Sequence, residues 1–491
     1  MKYYNRVKVA IIGSGIAGIA TAIRLAAKGH EVSVFEKNSF PGGKLSEFQL
    51  GDYRFDAGPS LFTYPELVEE LFQVAGEGME KYFQYVELQD ICNYFYEDGT
   101  KFTARKDRKL FAAEISRSTH EPEANIYRAL DRSAQLYQYL GEMFMFRSLH
   151  DWKTFFSKPA LKSYLNLHKL DFFRTMHQAN ESNFQDPRLI QFFNRYATYN
   201  GSNPYETPAT MNIIPHLEFG KGAFFPREGM YSITRSLTSL AERQGVSFHY
   251  DSQIERIEVT GDQVQGLKVK GTVEYFDRVV SNMDIVGTYK RLLPEIKAPR
   301  FLLNQPKSSS ALIFYWGIRD SFPELGLHNI LFSEDYREEF EDIFGRKSIN
   351  EDPTIYINIS SKLNPSDAPV GSENWFVMIN TPNNTGQNWD DLIQRARINI
   401  LKKLERMLGR SVDVLIEEEH WLDPRSIESR TSSAQGSLYG NSSNNKFAAF
   451  LRHPNFSRKI KGLYFCGGSV HPGGGIPMAL SSAKIVDRYF R

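Results

Sequence analysis

The sequence predicts an α/β fold whose nucleotide-binding part is interrupted and resumed along the chain, and three observations lead there. Lys8-Val-Ala-Ile-Ile-Gly13 is a short apolar run that ends in a turn with glycines at Gly13, Gly15 and Gly18. An Ala/Ile/Leu-rich stretch of helical periodicity follows from Ile16 to Lys28, then a second apolar strand, Glu31-Val-Ser-Val-Phe-Glu36, that ends in an acid. Finally, 491 residues exceed what one hydrophobic core organises, so two or more domains are expected.

Each position of the first unit has a physical task. Gly13 makes the turn, Gly15 lets the backbone approach a pyrophosphate, Gly18 permits close packing of helix on strand, and Glu36 accepts hydrogen bonds from a ribose. The phosphate belongs at the helix N-terminus, beginning at Ile16 and Ala17, where unpaired N–H groups and the helix dipole favour anions. Lys2, Arg6 and Lys8 ahead of an uncharged run from Val9 to Ile23 would also suit a secretory leader. The glycines fall where its apolar core should lie, and the run continues into a second strand, so that alternative is set aside.

Farther along, the nucleotide-binding pieces are expected at residues 1–90, 209–297 and 421–491. The middle piece carries a helix from Tyr231 to Gln244 and strands Val246 to Tyr250 and Ile254 to Thr260, with a hairpin turn at Asp262. Residues 91–208 read as a helical insertion facing substrate or membrane. Residues 298–420 read as a strand-rich substrate domain, with strands Ala311 to Ile318, Thr354 to Ile359 and Trp375 to Asn380 and one clear helix from Trp389 to Met407. The stretch Ser432 to Asn445 has the composition of a flexible linker.

A net charge of +1 with scattered basic residues gives no electrostatic case for nucleic acid. The two cysteines, Cys92 and Cys466, lack metal-ligand spacing and read as reduced core thiols, so no metal is expected. No apolar run reaches the ~18 residues of a membrane-spanning helix. The 36 phenylalanines and 25 tyrosines are a bias, concentrated partly between residues 127 and 200. Such a helical stripe either packs a local core or lines a long apolar cavity and dips into a bilayer.

Several further segments carry a family resemblance. Lys37-Asn-Ser-Phe-Pro-Gly-Gly43-Lys44 resembles the glycine-rich loop of two-dinucleotide-binding flavoproteins, which usually ends in arginine; Lys44 keeps the charge and loses the bidentate fork. Tyr53-Arg-Phe-Asp-Ala-Gly58-Pro59-Ser60 matches their turn beside the flavin. With Thr198 to Tyr205, Phe225-Pro-Arg227-Glu-Gly-Met230, Val280-Ser-Asn282-Met-Asp284 and Gly462 to Leu480, the chain resembles bacterial carotenoid desaturases of the phytoene desaturase type over nearly its whole length. Within them it is most similar to the branch that desaturates 1-hydroxycarotenoids at the 3,4 bond.

The resemblance implies a two-dinucleotide-binding, Rossmann-like FAD fold with a discontinuous FAD domain and an α+β substrate domain. It implies noncovalent FAD held by Gly13, Gly15, Ile16, Ala17, Gly18, Glu36, Lys37, Gly43, Lys44, Gly58, Pro59, Ser60, Ile254, Asn282, Gly467, Gly468, Ile476, Pro477 and Met478. The Gly-Ser-Leu-Tyr-Gly core at 436–440 becomes an ordered loop near the flavin. The substrate becomes a long acyclic carotenoid met by a cytoplasmic protein at a membrane surface, with quinone or oxygen as the final electron acceptor. Desaturation removes a hydride, which goes to flavin N5, and a proton; an allylic cation delocalises along the polyene, so no strong base is obligatory and no catalytic triad is evident.

Arg147, Arg227 and His471 are the weak candidates for catalytic work, each with a competing role as a paired arginine or a loop-holding histidine. Two departures from the family pattern stand out: Glu228 replaces a glycine in the Pro-Arg-Gly-Gly-Met segment, and a frequent histidine pair appears as His328-Asn329. The alternatives are a phytoene or diapophytoene desaturase, a carotenoid oxidase, an amine oxidase-like flavoenzyme, or a noncatalytic isoprenoid carrier.

Overall fold

The apolar strand that opens the sequence becomes the centre of a parallel sheet. In the computed structural model, which describes residues 6–490, five parallel strands run in the order Ser247–His249, Glu31–Phe35, Lys8–Ile12, Arg278–Ser281 and Leu463–Phe465. Alternation along Lys8–Ile12 sends Val9 and Ile11 to one face and Ala10 and Ile12 to the other, and all four are buried. Both faces of a parallel sheet must be covered, which explains the unbroken apolar run. Helices Ile16–Ala27, Tyr231–Arg243 and Ile476–Asp487 cover the first face. An antiparallel meander, Ile254–Thr260, Gln263–Val269 and Thr272–Tyr275, covers the second through Ile257 and Leu267. The strands come from all three segments expected to bind the nucleotide.

A second sheet of seven strands builds the other half of the molecule. Its order is Ile416–Leu422, Ser310–Ile318, Glu373–Thr381, Ile355–Ile359, His328–Leu331, Asp90–Phe95 and Lys101–Arg105. Helix Trp389–Leu408 packs on one face, against Leu312, Phe314, Trp316 and Val377. The alternate residues Ile313, Tyr356, Phe376 and Met378 point to the opposite face, which walls a cavity. The expected strands and helix appear within one or two residues of their sequence positions.

The insertion at 91–208 does not begin as helix. Asp90–Phe95 and Lys101–Arg105 form a hairpin on the edge of the second sheet, and Asp90–Phe95 pairs in parallel with His328–Leu331. That pairing joins segments far apart in sequence and leaves no local mark. Helices follow from Arg108–Thr119 onward, and the aromatic stripe divides between its two readings. Phe192, Phe193 and Tyr196 are buried against Tyr94 and Phe111. Trp152, Phe156 and Phe173 stand 69%, 82% and 86% exposed.

Candidate active site

The expected cofactor residues gather at the carboxyl ends of the parallel strands, where open α/β sheets bind their ligands. Gly13 follows the central strand with φ +91° and donates its N–H to the Phe35 carbonyl at 2.8 Å. A Cβ on Gly18 would lie 2.2 Å from the Gly13 carbonyl oxygen, so Gly18 serves the helix–strand contact and does not line the cavity. A Cβ on Gly15 would meet Asn282 Nδ2 at 2.7 Å, and one on Gly467 would meet Asn282 Oδ1 at 2.6 Å. Asn282 thus wedges between the first glycine turn and the last, and its amide donates to Gly13 O at 3.3 Å.

Glu36, at the end of the neighbouring strand, is only 5% exposed. Its Oε2 accepts from the Ser14 N–H at 2.8 Å and the Ser14 hydroxyl at 2.9 Å, and its Oε1 from the Asn38 N–H at 2.9 Å and side chain at 2.8 Å. The acid expected to receive a ribose therefore also clamps the glycine turn to the strand, and Ser14 and Asn38, which sequence reasoning passed over, complete the clamp. Neither helix Ile16–Ala27 nor helix Ile476–Asp487 carries a side-chain cap or an acid in its first turn, which leaves the amides at both starts available to an anion or polar ligand.

Two buried cations face this region with no carboxylate of the described residues bonded to them. Lys44 donates to the carbonyls of Ser437 and Leu438 at 3.2 and 2.8 Å, and burial, opposed by Asp284, pushes its pKa down to about 8. Arg452 donates to the carbonyls of Tyr439 and Asn441 at 3.0 and 2.9 Å, and burial pushes its pKa down to about 10. A desolvated charge satisfied only by carbonyls is poised for an anion. The segment 436–440 is an ordered loop, as the resemblance implies: Ser308 N–H donates to Gly440 O at 2.8 Å and the Ser310 hydroxyl to Gly436 O at 2.6 Å. Lys37 is tied to Ser429 O at 2.7 Å at the rim.

All these surfaces open on one cavity of about 1370 Å³, larger than the roughly 300–1,000 Å³ of a single small-molecule site. Of the nineteen expected cofactor residues, every one except Gly18 lines it. Beyond Gly58–Ser60 it continues between the second sheet and the helical insertion, past Leu140, Met145, Leu149, Leu170 and Phe172 on one side and Ile313, Phe376 and Met378 on the other. One hydrogen-bonded string crosses that apolar wall: Ser60 Oγ to Tyr356 Oη at 2.6 Å and Tyr356 Oη to His328 Nδ1 at 2.8 Å. Burial, assisted by the charge of Arg195, pushes the His328 pKa down to about 3, so the ring is neutral at working pH.

The structure does not bring the three weak catalytic candidates into this cavity. Arg227 is exposed on the surface. His471 is fully buried, its Nε2 2.8 Å from the Arg147 carbonyl and its backbone N–H bonded to His453 O at 3.0 Å, so it holds the loop. Burial drives its pKa down to about 3. Arg147 enters that contact through its backbone. Arg195, Glu218 and Tyr356 also line the cavity and escaped sequence reasoning as site residues because they come from separate elements with no shared motif; His328, noted in the sequence only as a departure from a histidine pair, lines it as well.

The residues fit a dinucleotide with a flavin at its far end: an uncapped helix over a glycine turn, a second uncapped helix start, and two carbonyl-bound cations between them. Comparison with known proteins agrees. The family model of flavin-containing amine oxidoreductases matches residues 16–486. The chain is 52% identical to a 1-hydroxycarotenoid 3,4-desaturase of Flavobacterium sp. (strain P99-3), across 97% of this chain and 98% of that protein. It is 32% identical to a 4,4'-diapolycopene oxygenase of Methylomonas sp., across 98% and 97%. Among solved structures, an oxidoreductase from Methanosarcina mazei shares the fold with a TM-score of 0.64 at 14% identity, over 97% of this chain and 98% of that one.

Proposed function

The chain belongs to the flavin-containing amine oxidoreductase family, and from that premise we propose that it is an FAD-dependent carotenoid desaturase acting at the 3,4 bond of 1-hydroxylated acyclic carotenoids. The observation that carries this is the continuity of the nucleotide cradle with a long apolar chamber in a single cavity. The name of the 52% identical relative supplies the substrate class. An amine substrate would ask for polar recognition along the chamber, whereas its walls are mainly Leu, Met, Ile and Phe.

FAD, when bound, supplies the two-electron acceptor for the hydride that leaves the substrate. Gly13, Gly15 and the start of helix Ile16–Ala27 would hold its pyrophosphate with Lys44 nearby, Glu36 its ribose, and Gly467, Gly468 and the start of helix Ile476–Asp487 its flavin end. The chain's own share in the reaction is to exclude water and to hold one carbon pair of the polyene in register. The chamber walls do both, and the proton lost from the adjacent carbon needs no strong base once charge spreads along the polyene. In this assignment residues 1–90, 209–297 and 421–491 form the FAD domain. The sheet of 298–420, extended by the hairpin Asp90–Arg105, and the helices up to 208 enclose the substrate.

Among the described residues no helix is long and apolar enough to cross a membrane. We assign the membrane contact to an exposed apolar patch: Trp152, Phe156, Leu161, Leu165 and Phe173, with Phe447 and Phe450 beside them. His150 Nε2 lies 3.2 Å from Phe450 O, and Lys446 stands 5.5 Å over the Phe173 ring, so the two stretches are adjacent. Lys153, Lys158, Lys162 and Lys169 are exposed in the same stretch and suit anionic headgroups. Phe155, Leu167, Phe172 and Phe450 also line the cavity, which joins the patch to the chamber; this continuity supports a cytoplasmic enzyme that works at a membrane surface. A quinone there, or dissolved oxygen, would reoxidise the flavin.

Purified protein supplied with FAD is incubated with liposomes that contain either phytoene or a 1-hydroxylated acyclic carotenoid, followed by visible spectrum and mass. A red shift with loss of two hydrogens from the hydroxylated substrate alone is expected. Conversion of phytoene instead would overturn the 3,4 assignment.

A further inference from the structure

A hydroxylated polyene end brings one polar group into an apolar chamber, and leaving it unpaired there costs about 1–3 kcal/mol. The C1 hydroxyl is separated from the C3–C4 bond by a single methylene carbon. Its partner must therefore sit in the chamber wall beside the reacting carbons. Resting on the substrate assignment above, we propose that Arg195, supported by Glu218 and Tyr199, is the subsite that receives this hydroxyl, with the guanidinium donating to the hydroxyl oxygen.

The Arg195 side chain is 9% exposed, and the residue lines the cavity. It lies among the rings of Tyr94, Tyr196 and Tyr199, with centroids at 5.3, 4.5 and 5.3 Å. Among the described residues its only carboxylate contact is Glu218, whose Oε2 stands 3.7 Å from Nη2, beyond hydrogen-bond reach. Glu218 is itself occupied: Tyr196 Oη donates to it at 2.7 Å and Tyr199 Oη donates to its other oxygen. Nε and Nη2 of Arg195 are therefore left as buried donors without acceptors. A purely structural ion pair would close that gap, because a buried unpaired donor is costly. An acceptor supplied from the chamber accounts for it.

The neighbourhood agrees. His328 lines the same cavity, and its Nε2 also lacks a partner while Nδ1 is taken by Tyr356. The string from His328 ends at Ser60, and this turn lies on the cofactor loop: Ala57 N–H donates to Ser46 O at 2.8 Å, and a Cβ on Gly58 would lie 1.9 Å from the Lys44 carbonyl oxygen. The unpaired donors thus collect where the chamber meets the cofactor cradle, as the short distance from C1 to the reacting bond requires.

The test compares kcat/KM for a 1-hydroxylated carotenoid with that for the same acyclic polyene lacking the hydroxyl. Wild type, Arg195→Met and Arg195→Lys are each checked for FAD retention. Wild type is expected to prefer the hydroxylated substrate, and Arg195→Met to lose at least about tenfold of that preference, the scale of a hydrogen bond to a charged group. Arg195→Lys keeps a charge beside Glu218 and so guards against misfolding, but its single head lacks the fork's second arm, and the same loss is expected. Wild-type discrimination that persists in FAD-retaining variants overturns the subsite alone. A wild type indifferent to the hydroxyl overturns the substrate assignment and the subsite with it.

Discussion

Raising the pH should loosen the hold on FAD, and Lys44 sets the size of the effect. In the FAD-free protein burial lowers its pKa to about 8, so the ammonium is mostly present at pH 7 and mostly gone at pH 9.5. A pyrophosphate placed beside it favours the charged form and raises the pKa in the complex. Binding therefore takes up a proton above pH 8, and affinity falls up to tenfold per pH unit. From a pKa of about 8, the loss between pH 7 and 9.5 is about thirtyfold, ~2 kcal/mol. Quenching of FAD fluorescence, titrated at fixed ionic strength from pH 7 to 9.5, reads it directly. Lys44→Arg should bind with a flat profile over this range, because a guanidinium does not titrate there. Lys44→Met should be flat as well, and weaker at pH 7. A flat wild-type profile, or an unchanged slope in Lys44→Arg, would refute the placement of Lys44 at the phosphates.

Glu36→Ala should weaken FAD by about 1.5–3 kcal/mol, the scale of a charge-assisted hydrogen bond. Because it also strips the Ser14 and Asn38 donors of their acceptor, it should lower the melting temperature of the FAD-free protein; unchanged affinity would remove the ribose role. Gly18→Ala drives a Cβ to 2.2 Å from the Gly13 carbonyl, and a loss of about 1–3 kcal/mol in stability with reduced FAD loading is expected from denaturant titration; a wild-type midpoint would count against the close contact. The combined variant Trp152→Ser, Phe156→Ser and Phe173→Ser should lose at least about tenfold in cosedimentation with anionic liposomes while its FAD content stays constant. Undiminished cosedimentation would place the membrane contact elsewhere.

What the sequence made legible was local. Strand, glycine turn, helix and terminal acid are adjacent between Lys8 and Glu36, so each part tests the others, and the cradle stands where that pattern puts it. The same holds for strands such as Ile254–Thr260, whose alternation needs no distant partner to be seen. The hairpin Asp90–Phe95 and Lys101–Arg105 was read as part of a helical insertion because its place on the second sheet is set by His328–Leu331, far along the chain. His471 drew attention by its glycine-rich surroundings, yet it faces the Arg147 carbonyl. Arg195 and Glu218 lie on separate elements, and only folding shows that the glutamate is already taken by two tyrosines and that the arginine lacks a full set of acceptors.

The parallel sheet also imposes a timetable. Its central strand, Lys8–Ile12, is synthesised long before the strand that completes it, Leu463–Phe465. Until then Arg278–Ser281 is an open, apolar edge able to pair with other chains. From the synthesis of Arg278–Ser281 until that of Leu463–Phe465 the nascent chain carries this edge unpaired, and a parallel pairing between segments so far apart in sequence closes slowly. A chain stopped short of Leu463 lacks Gly467, Gly468 and helix Ile476–Asp487 as well as the last strand, so in the proposed assignment it has no finished cradle to load.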